Sequence, residues 1–570
     1  MEQANDLDLT KHLQKQGADT KTVLGHPAAL FILFFTEMWE RFSYYGMRAL
    51  LVVFLVSEIT KGGWGWTNAE AMSLYGWYTM LVYATPLIGG MIADKLTGFK
   101  KAILIGALLM TLGHASMALE GFDKNFFFIG LGLMILGNGM FKPNISSMVG
   151  QLYPDTSSKK DAGYTIFYMG INAGAFLGSL LCGYLGEKIG WHYGFGLAGV
   201  FMFFGMLQFY FGQKIFGIIG NSPKEDGDEI EVALKKVRQE EEERQNLTKE
   251  FNESVVKSDI ESKLTSASAE EKESVLNYLR KSFSDKIIRD RLFVVGVLMV
   301  ASIFFFLAFE QAGGSLSIFA KDYTQRILEG GAATTFKWVD AALTIFPILV
   351  VTFVLFSLAK KIFKQYPLTI FFTLLSFVSI AILGFWKVYR EFTSLETEVT
   401  VSWFQILNAF FIVTFASLFS KLWEKHWNPS GPVKFAMGLF LVGFSFVVVA
   451  YGASSIPQGA AAGAVRVSMI WLILAYFFQT MGELCLSPVG LSYVSKLSPK
   501  RLVGLIFGLW FLASAISNMI AAQMGGMIDT ISEKYSMSTF FMIIAILPIS
   551  VSIILLIMNP MLKRKMHGIN

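Results

Sequence analysis

Residues 36–50 read TEMWERFSYYGMRAL and lie inside an apolar segment that extends from Ala28 to Val56. Such a segment is long enough to cross a bilayer, which requires about 20 mainly apolar residues. Four of its side chains are nevertheless charged: Glu37, Glu40, Arg41 and Arg48. Each ionised group at the centre of a membrane costs roughly 2.5–3.5 kcal/mol. We therefore expect these side chains to pair, to bind protons or to face a water-filled cavity.

Helical periodicity places most of this charge on one face. Glu37, Arg41, Tyr44 and Arg48 follow one another at helical spacing and so share that face. A glutamate four residues before an arginine is well placed for an ion pair. Two interpretations remain open: a static salt bridge that locks the helix into a bundle, or a proton site next to an anion site. Two acids and two arginines interleaved with tyrosines favour the second interpretation.

The composition is that of a polytopic membrane protein, with 54% hydrophobic and 16% charged residues among 570. The basic cytoplasmic loops of membrane proteins explain the net charge of +5, so we expect no nucleic-acid partner. Both cysteines, Cys182 and Cys485, lie in apolar segments. This position argues against a disulfide framework and against a cysteine metal site. We also expect no cofactor.

The apolar runs predict an all-α membrane protein with about fourteen transmembrane helices. Six of them occupy residues 28–217 and eight occupy 291–562, whereas the charged residues 218–290 predict a soluble linker. Residues 1–27 and 563–570 form polar tails. Because lysine and arginine concentrate in alternate loops, the positive-inside rule places the linker and both termini in the cytoplasm. We expect a multi-pass protein of the inner (plasma) membrane.

Few polar residues interrupt the other apolar runs. Lys142 lies in LGNGMFKPNISS, where it either faces a polar site or extends to the interface, and Pro143 is expected to break the helix. Asn172 is the amide of FYMGINAGAFLGS, whose small residues permit close helix packing. Glu310 and Glu483 are single acids in apolar surroundings. Each is costly there unless it binds a proton or meets a cation.

These charges divide between the two halves of the chain. The first half supplies the cations and the second half the carboxylates: Arg41, Arg48 and Lys142 against Glu310 and Glu483. A central cavity between the halves would be positive on one wall and negative on the other, which suits a zwitterion. Buried carboxylates can also carry protons and couple them to transport.

Four motifs resemble those of the proton-dependent oligopeptide transporter family, bacterial type, a branch of the major facilitator superfamily. They are Glu37-x-x-Glu40-Arg41-Phe42 with Tyr44-Tyr45-Gly46, the loop in GGMIADKLTGFKK (89–101), FYMGINAGAF (167–176) and GELCLSPVGLS (482–492). They follow the order of the family, and the resemblance covers nearly all of the membrane part. It implies the facilitator fold, with two six-helix bundles around a central cavity and an extra helix pair at about 336–389.

The resemblance also implies roles for individual residues. Proton coupling would involve Glu37, Glu40, Arg41, Lys142 and Glu310. Substrate binding would involve Arg48, Tyr44, Tyr45, Tyr83, Lys142, Asn172, Asn408, Glu483 and Trp510. By this resemblance, Arg48 and Lys142 would bind the peptide carboxylate, and Glu483 would bind the amino group. Glu310 would pair with Arg48 when the outer gate closes. Gly76 stands where animal members carry a proton-linked histidine, so coupling should rest on the glutamates.

The function implied by this resemblance is proton-driven uptake of di- and tripeptides by alternating access. The expected partners are peptides, protons and the lipid bilayer, with a monomer as the functional unit. The alternative is a transporter of the same fold for nitrate, a peptide-like drug or another small anion, although the Glu483 carboxylate would repel simple anions. A membrane enzyme is disfavoured because the sequence has no nucleophile–base motif, and saturable, gradient-dependent uptake would exclude a channel.

Overall fold

The computed structural model describes residues 2–154, 157, 159–222, 285–425, 427–499 and 502–569. Most of the charged linker predicted at 218–290 lies outside these ranges, because residues 223–284 are not among them. The helix that follows begins at Lys286.

Seven α-helices precede residue 223 in the described part. They are α1 (Glu2–Lys15), α2 (Ala28–Val56), α3 (Asn68–Ile92), α4 (Gly98–Met117), α5 (Lys124–Gln151), α6 (Lys159–Lys188) and α7 (Trp191–Gly212). Strands β1 (Thr22–Val23) and β2 (His26–Pro27) pair antiparallel just before α2. A π-helix, Ala93–Thr97, joins α3 to α4 where the sequence predicts a loop. Short 3-10 helices cover Ile59–Lys61 and Gln213–Phe216.

Ten α-helices follow residue 284 in the ranges that the structure describes. They are α8 (Lys286–Phe309), α9 (Ser315–Tyr323), α10 (Gly330–Ile362), α11 (Pro367–Thr393), α12 (Val401–Lys425), α13 (Gly431–Ala453), α14 (Ile470–Leu497), α15 (Val503–Gly526), α16 (Ile528–Lys534) and α17 (Met537–Lys565). Strand β3 (Thr324–Gln325) pairs parallel with β6 (Val467–Ser468), and β4 (Ile327–Leu328) pairs antiparallel with β5 (Thr397–Glu398). A 3-10 turn, Glu310–Gly313, separates α8 from α9.

The described helices include fourteen of 20 residues or more, six in the first half and eight in the second. Twelve apolar stretches of the described residues are long enough to cross a membrane, and one of them, Asn68–Met117, contains both α3 and α4. The remaining long helix is α2, which carries the four charges. The prediction of an all-α membrane fold with about fourteen helices is confirmed.

The direction of the chain defines two faces of the molecule. The terminus face carries α1 and the end of α17, and His12 of α1 donates a hydrogen bond to the Gln151 carbonyl at the end of α5 (2.9 Å). The far face is the opposite side, where α2 ends and α12 begins.

Helix α2 is buried along nearly its whole length and forms the core of the first half. Helix α6 packs against it through glycines. Gly170, Gly174 and Gly178 recur every four residues, so they share one face of α6. A Cβ atom on Gly174 would lie 2.1 Å from the Met38 carbonyl oxygen, and one on Gly178 would lie 2.2 Å from that of Phe42. These backbones approach too closely for any larger residue, as the small residues of this segment predict.

The expectation that Pro143 breaks its helix is wrong, since α5 continues through it to Gln151. Proline removes one backbone hydrogen bond, leaving the carbonyl four residues earlier, that of Gly139, without its usual donor. Helix α3 packs closely over this carbonyl through Gly89, where a Cβ atom would lie 2.0 Å from the Gly139 oxygen. Packing against neighbouring helices allows a proline to remain inside a membrane helix.

Helices α10 and α11 cover the range in which the extra pair is predicted. Phe377 of α11 contacts Phe35 and Trp39 of α2, each with 5.4 Å between ring centroids. Between α10 and α11, Lys387 forms a buried ion pair with Asp340. The pair is thus held together by a charge contact and attached to the first half by aromatic packing.

Candidate functional site

Arg48 lies in the second half of α2, where three elements meet. Its Nε and Nη2 atoms donate to the Tyr75 hydroxyl of α3 at 2.9 and 2.7 Å. Nη2 also forms an ion pair with Glu310, at the 3-10 turn after α8. All three side chains are buried. Arg48 therefore joins the first half to the second near the far face, through the acid that the family resemblance predicts.

Glu37, Glu40 and Arg41 form a second buried cluster about two to three turns earlier in α2. Arg41 Nε lies 2.8 Å from Glu37 Oε1 and 2.5 Å from Glu40 Oε2. Asn138 of α5 donates to Glu40 Oε1 at 3.0 Å. Among the described atoms, Glu37 Oε2 and Arg41 Nη2 have no hydrogen-bond partner. Two carboxylates thus share one guanidinium, an arrangement in which one acid can take up a proton.

Lys142 is a second cation whose charge reaches both Glu37 and Glu40. Its Nζ atom lies 4.4 Å from the centre of the Tyr83 ring. Tyr83 in turn lines a cavity between the two halves. Lys142 therefore lies between the carboxylate cluster and the cavity.

The cavity has a volume of about 240 Å³. This is below the roughly 300–1,000 Å³ of sites for drug-sized ligands and suits a smaller molecule. Seven predicted residues line it: Tyr45, Arg48, Tyr83, Asn172, Glu310, Asn408 and Glu483. Arg48 and Tyr83 come from the first half, and Glu483 and Asn408 from the second, so the cavity has a cationic side and an acidic side.

Glu483 occupies the acidic side on α14. Its Oε2 atom accepts a hydrogen bond from Asn408 Nδ2 of α12 at 2.9 Å, and the same amide lies 3.2 Å from the Thr480 hydroxyl. Asn408 therefore fixes the orientation of the Glu483 carboxylate. On the opposite wall, Asn172 donates to the Tyr168 carbonyl at 2.9 Å.

Besides Lys142, two further predicted substrate-binding residues lie away from the cavity walls. Tyr44 is buried beside the first cluster, with its ring 5.7 Å from Arg41 Cζ. Trp510 packs within the second half, 6.4 Å from the Phe435 ring. Their role in binding stays a prediction.

Several further polar residues belong to the site although the sequence analysis assigned them no role. Tyr75 bonds Arg48 and Asn138 bonds Glu40, while Tyr168, Gln405 and Gln479 line the cavity. Helical spacing contains a signal for four of them. Asn138 precedes Lys142 by four residues, Tyr168 precedes Asn172 by four, Gln479 precedes Glu483 by four, and Gln405 precedes Asn408 by three. Each therefore shares a face with a predicted residue.

Polar contacts between the two halves close the far face. Glu187 at the end of α6 accepts hydrogen bonds from the backbone N–H groups of Val401 and Ser402, at 2.7 and 2.9 Å, where α12 begins. Asn68 of α3 donates to Asp529 of α16 at 2.9 Å. Tyr168, on the cavity wall toward the terminus face, is 46% exposed. The far face is therefore closed, and the exposed part of the cavity wall, at Tyr168, lies on the side of the terminus face.

Comparison with known proteins places these features in a family context. A sequence model described as the POT family matches residues 100–397 and 360–543. The chain is 32% identical to a di-/tripeptide transporter of Lactococcus lactis subsp. cremoris, over 97% of this chain and 99% of that protein. It is 33% identical to a peptide transporter of Yersinia enterocolitica, over 89% of each. A crystal structure of a peptide transporter POT in complex with sulfate aligns with a TM-score of 0.69 at 30% identity, over 100% of both chains.

Proposed function

The chain belongs to the POT family, and from this membership we propose that it imports di- and tripeptides together with protons by alternating access. The observation that best supports this function is the pair of opposite charges on one cavity: Arg48 from the first half and Glu483 from the second. A short peptide is a zwitterion whose carboxylate and ammonium groups match these two walls. The multi-pass membrane architecture agrees with the function of a transporter.

Substrate binding would use both walls at once. The peptide carboxylate would pair with Arg48, with Lys142 adding positive potential behind Tyr83. The ammonium group would pair with Glu483, which Asn408 already orients. Tyr45 and Asn172 would contact the peptide between its ends, because both line the same cavity.

Coupling to protons would arise because two carboxylates compete for Arg48. In the closed far face Arg48 is paired with Glu310, so a peptide carboxylate must displace that acid. Protonation of Glu310 releases the guanidinium and allows the peptide to bind. A proton and a peptide then favour the same state, which is the condition for symport.

The cluster of Glu37, Glu40 and Arg41 would hold a proton during the return step. Its two acids around one guanidinium can change protonation without a partner from the second half. Lys142 would transmit that change to the cavity, since its charge acts on both acids and its Nζ atom lies over Tyr83.

The proposal includes a place in the cell. The terminus face would lie in the cytoplasm of the inner membrane, because basic residues concentrate in the loops of that side. The far face would then open to the outside. A monomer embedded in the lipid bilayer would suffice for transport, with protons as the coupling ion and no cofactor or catalytic step.

Uptake of labelled dialanine into proteoliposomes, with and without an imposed pH gradient, tests this function. We expect saturable accumulation only when the outside is more acidic than the inside. Unlabelled dialanine should compete with the label, and nitrate at the same concentration should not. Competition by nitrate without competition by dialanine would favour the anion transporter, and hydrolysis of the peptide would indicate an enzyme.

A further inference from the structure

Three lysines from three helices converge on a pocket of about 550 Å³ at the terminus face. Lys434 lies in the first turn of α13, Lys496 at the end of α14 and Lys563 at the end of α17. Trp423 of α12 lines the same pocket. The pocket lies within the second half of the chain and is separate from the peptide cavity.

The positive charge of this pocket has no acidic counterpart among the described residues that line it. Lys434 donates to Asn428 Oδ1 at 2.7 Å and lies 4.8 Å from the Trp423 ring, so the described groups that contact its ammonium group are neutral. Lys496 is close enough to Lys434 for their charges to repel. Like charges gathered in a concave site attract an anion, because an anion removes this repulsion.

An aromatic strip extends from the pocket along the membrane part of the protein. Phe411, Phe415, Phe419 and Trp423 recur every four residues, so they follow one face of α12. Phe419 contacts Trp423 with 5.8 Å between ring centroids, and Phe411 and Phe415 contact Phe477 of α14 at 5.4 and 5.7 Å. These phenylalanines are only half-buried. The strip therefore presents an apolar surface next to the lysines.

We propose that the pocket binds the phosphate of an anionic bilayer lipid, whose acyl chains lie along the aromatic strip. Lysines at helix ends and a tryptophan occupy the headgroup level of a membrane, where basic pockets between helices bind anionic headgroups. The strip distinguishes a lipid from a free phosphate ion, which would gain nothing from apolar contacts. Pro488 and Val489 also line the pocket, so the bound lipid stabilises the last segment of α14, the helix that carries Glu483.

Native mass spectrometry of the purified full-length chain tests the proposal. The probes are phosphatidylglycerol, phosphatidylcholine and inorganic phosphate. We expect retention of phosphatidylglycerol, weaker retention of phosphatidylcholine, and no displacement of phosphatidylglycerol by inorganic phosphate at the same concentration. Each lysine at a charged membrane surface contributes about fivefold, so Lys434→Gln, Lys496→Gln and Lys563→Gln together should weaken phosphatidylglycerol binding roughly 100-fold.

A matched control removes the same charge elsewhere on the terminus face. Lys360, Lys361 and Lys364 are exposed around the end of α10, and their triple glutamine variant should retain phosphatidylglycerol like the wild type. Equal loss in both triple variants, or none in the pocket variant, would overturn the proposal. Equally strong binding of inorganic phosphate would assign the pocket to a free ion. Lys563→Gln alone, at an exposed helix end, should weaken lipid binding about fivefold and keeps the test valid if the triple variant does not fold.

Discussion

Arg48 has two alternative carboxylate partners in the proposed transport cycle: Glu310 and the peptide. In the structure it donates to Tyr75 and pairs with Glu310, and we propose that it also receives the peptide carboxylate. A guanidinium has several donors but one positive charge. In this proposal two ionised carboxylates would compete for it, and a proton on Glu310 would resolve the competition. A single residue would then link the proton to the peptide.

The acidic wall of the cavity is tested by Glu483→Gln. The amide still accepts the hydrogen bond from Asn408 but has no charge to offer an ammonium group. Hydrogen bonds to charged groups contribute about 1.5–3 kcal/mol, so we expect dialanine uptake to fall by at least about tenfold. Uptake of N-acetyl-dialanine, which lacks the ammonium group, should differ far less between the variant and the wild type. Glu58→Gln, at an exposed glutamate of the far face, is the control, and undiminished dialanine uptake by Glu483→Gln would contradict the assignment.

The cluster on α2 is tested by Glu37→Gln and Glu40→Gln. Each variant keeps the shape of the side chain but cannot exchange a proton. We expect accumulation of dialanine against its gradient to be lost, while exchange of labelled for unlabelled dialanine continues because exchange needs no net proton movement. Proteoliposomes with a pH gradient, and others preloaded with peptide, measure the two activities. Glu70→Gln, at an exposed glutamate in the first turn of α3, should behave like the wild type. Full accumulation by both cluster variants would refute their role in coupling.

At the scale of the helices, α2 and α6 hold the first half together through backbone contact. Gly174→Val would place side-chain atoms where the Met38 carbonyl now lies. Overpacking of this kind costs about 1–3 kcal/mol or more, so we expect a lower midpoint of thermal unfolding. Gly132→Val is the matched control, because a Cβ atom on Gly132 of α5 meets no atom within 4 Å. An unchanged midpoint for Gly174→Val, measured in detergent, would show that the two helices are able to separate.

Helix periodicity and residue size predict which faces of the helices meet. They do not predict contacts between residues that are far apart in the sequence. The glycines of α6 and the charged face of α2 recur at helical spacing, so the sequence alone indicates which faces meet. The ion pair of Asp340 with Lys387 joins positions 47 residues apart, and no local pattern connects them. The continuation of α5 through Pro143 depends on α3, which packs over the carbonyl that proline releases. The sequence of α5 by itself does not contain that contact.

The far face provides a test of pH dependence. Glu398 of β5 lies outside the membrane helices, 2.7 Å from Lys188 of the first half and 3.0 Å from Arg326. Burial acts to raise the pKa of Glu398, but Lys188 and Arg326 outweigh it, and the pKa lies below its usual value. A carboxyl whose pKa is lowered in the closed state stabilises that state at neutral pH and loses this contribution as the pH falls through the lowered pKa.

We therefore expect acid to favour opening of the far face, and Glu398→Gln to remove part of that dependence. Spin labels on Lys61→Cys and Lys534→Cys, one exposed position in each half, report the opening as a distance measured over a series of pH values. Glu396→Gln, at an exposed glutamate two residues away, should leave the pH response unchanged. The same pH response in both variants would show that Glu398 does not control the opening of the far face.

At the scale of the whole molecule, the site exists only where the halves meet. Individual residues such as Arg48 and Glu483 are apparent in the sequence as charges in apolar runs. The way the bundles approach one another determines that these residues share a cavity. It also determines that Lys142 lies behind Tyr83 rather than on the cavity wall. The position of Trp510 is likewise not apparent in the sequence, since it packs against Phe435 instead of lining the cavity.

Alternating access requires the contacts of the far face to break in every cycle. Asn68→Cys and Asp529→Cys replace one pair that spans the halves, and a short bifunctional thiol reagent should join them. We expect the cross-link to abolish uptake and exchange in proteoliposomes, because the far face cannot open. Binding of dialanine to the purified protein should persist, because the exposed part of the cavity wall, at Tyr168, lies on the side away from the cross-link. Glu58→Cys with Lys61→Cys, a pair within the first half, is the control and should transport normally after the same treatment. Uptake by the cross-linked protein would mean that peptides reach the cavity without separation of the halves.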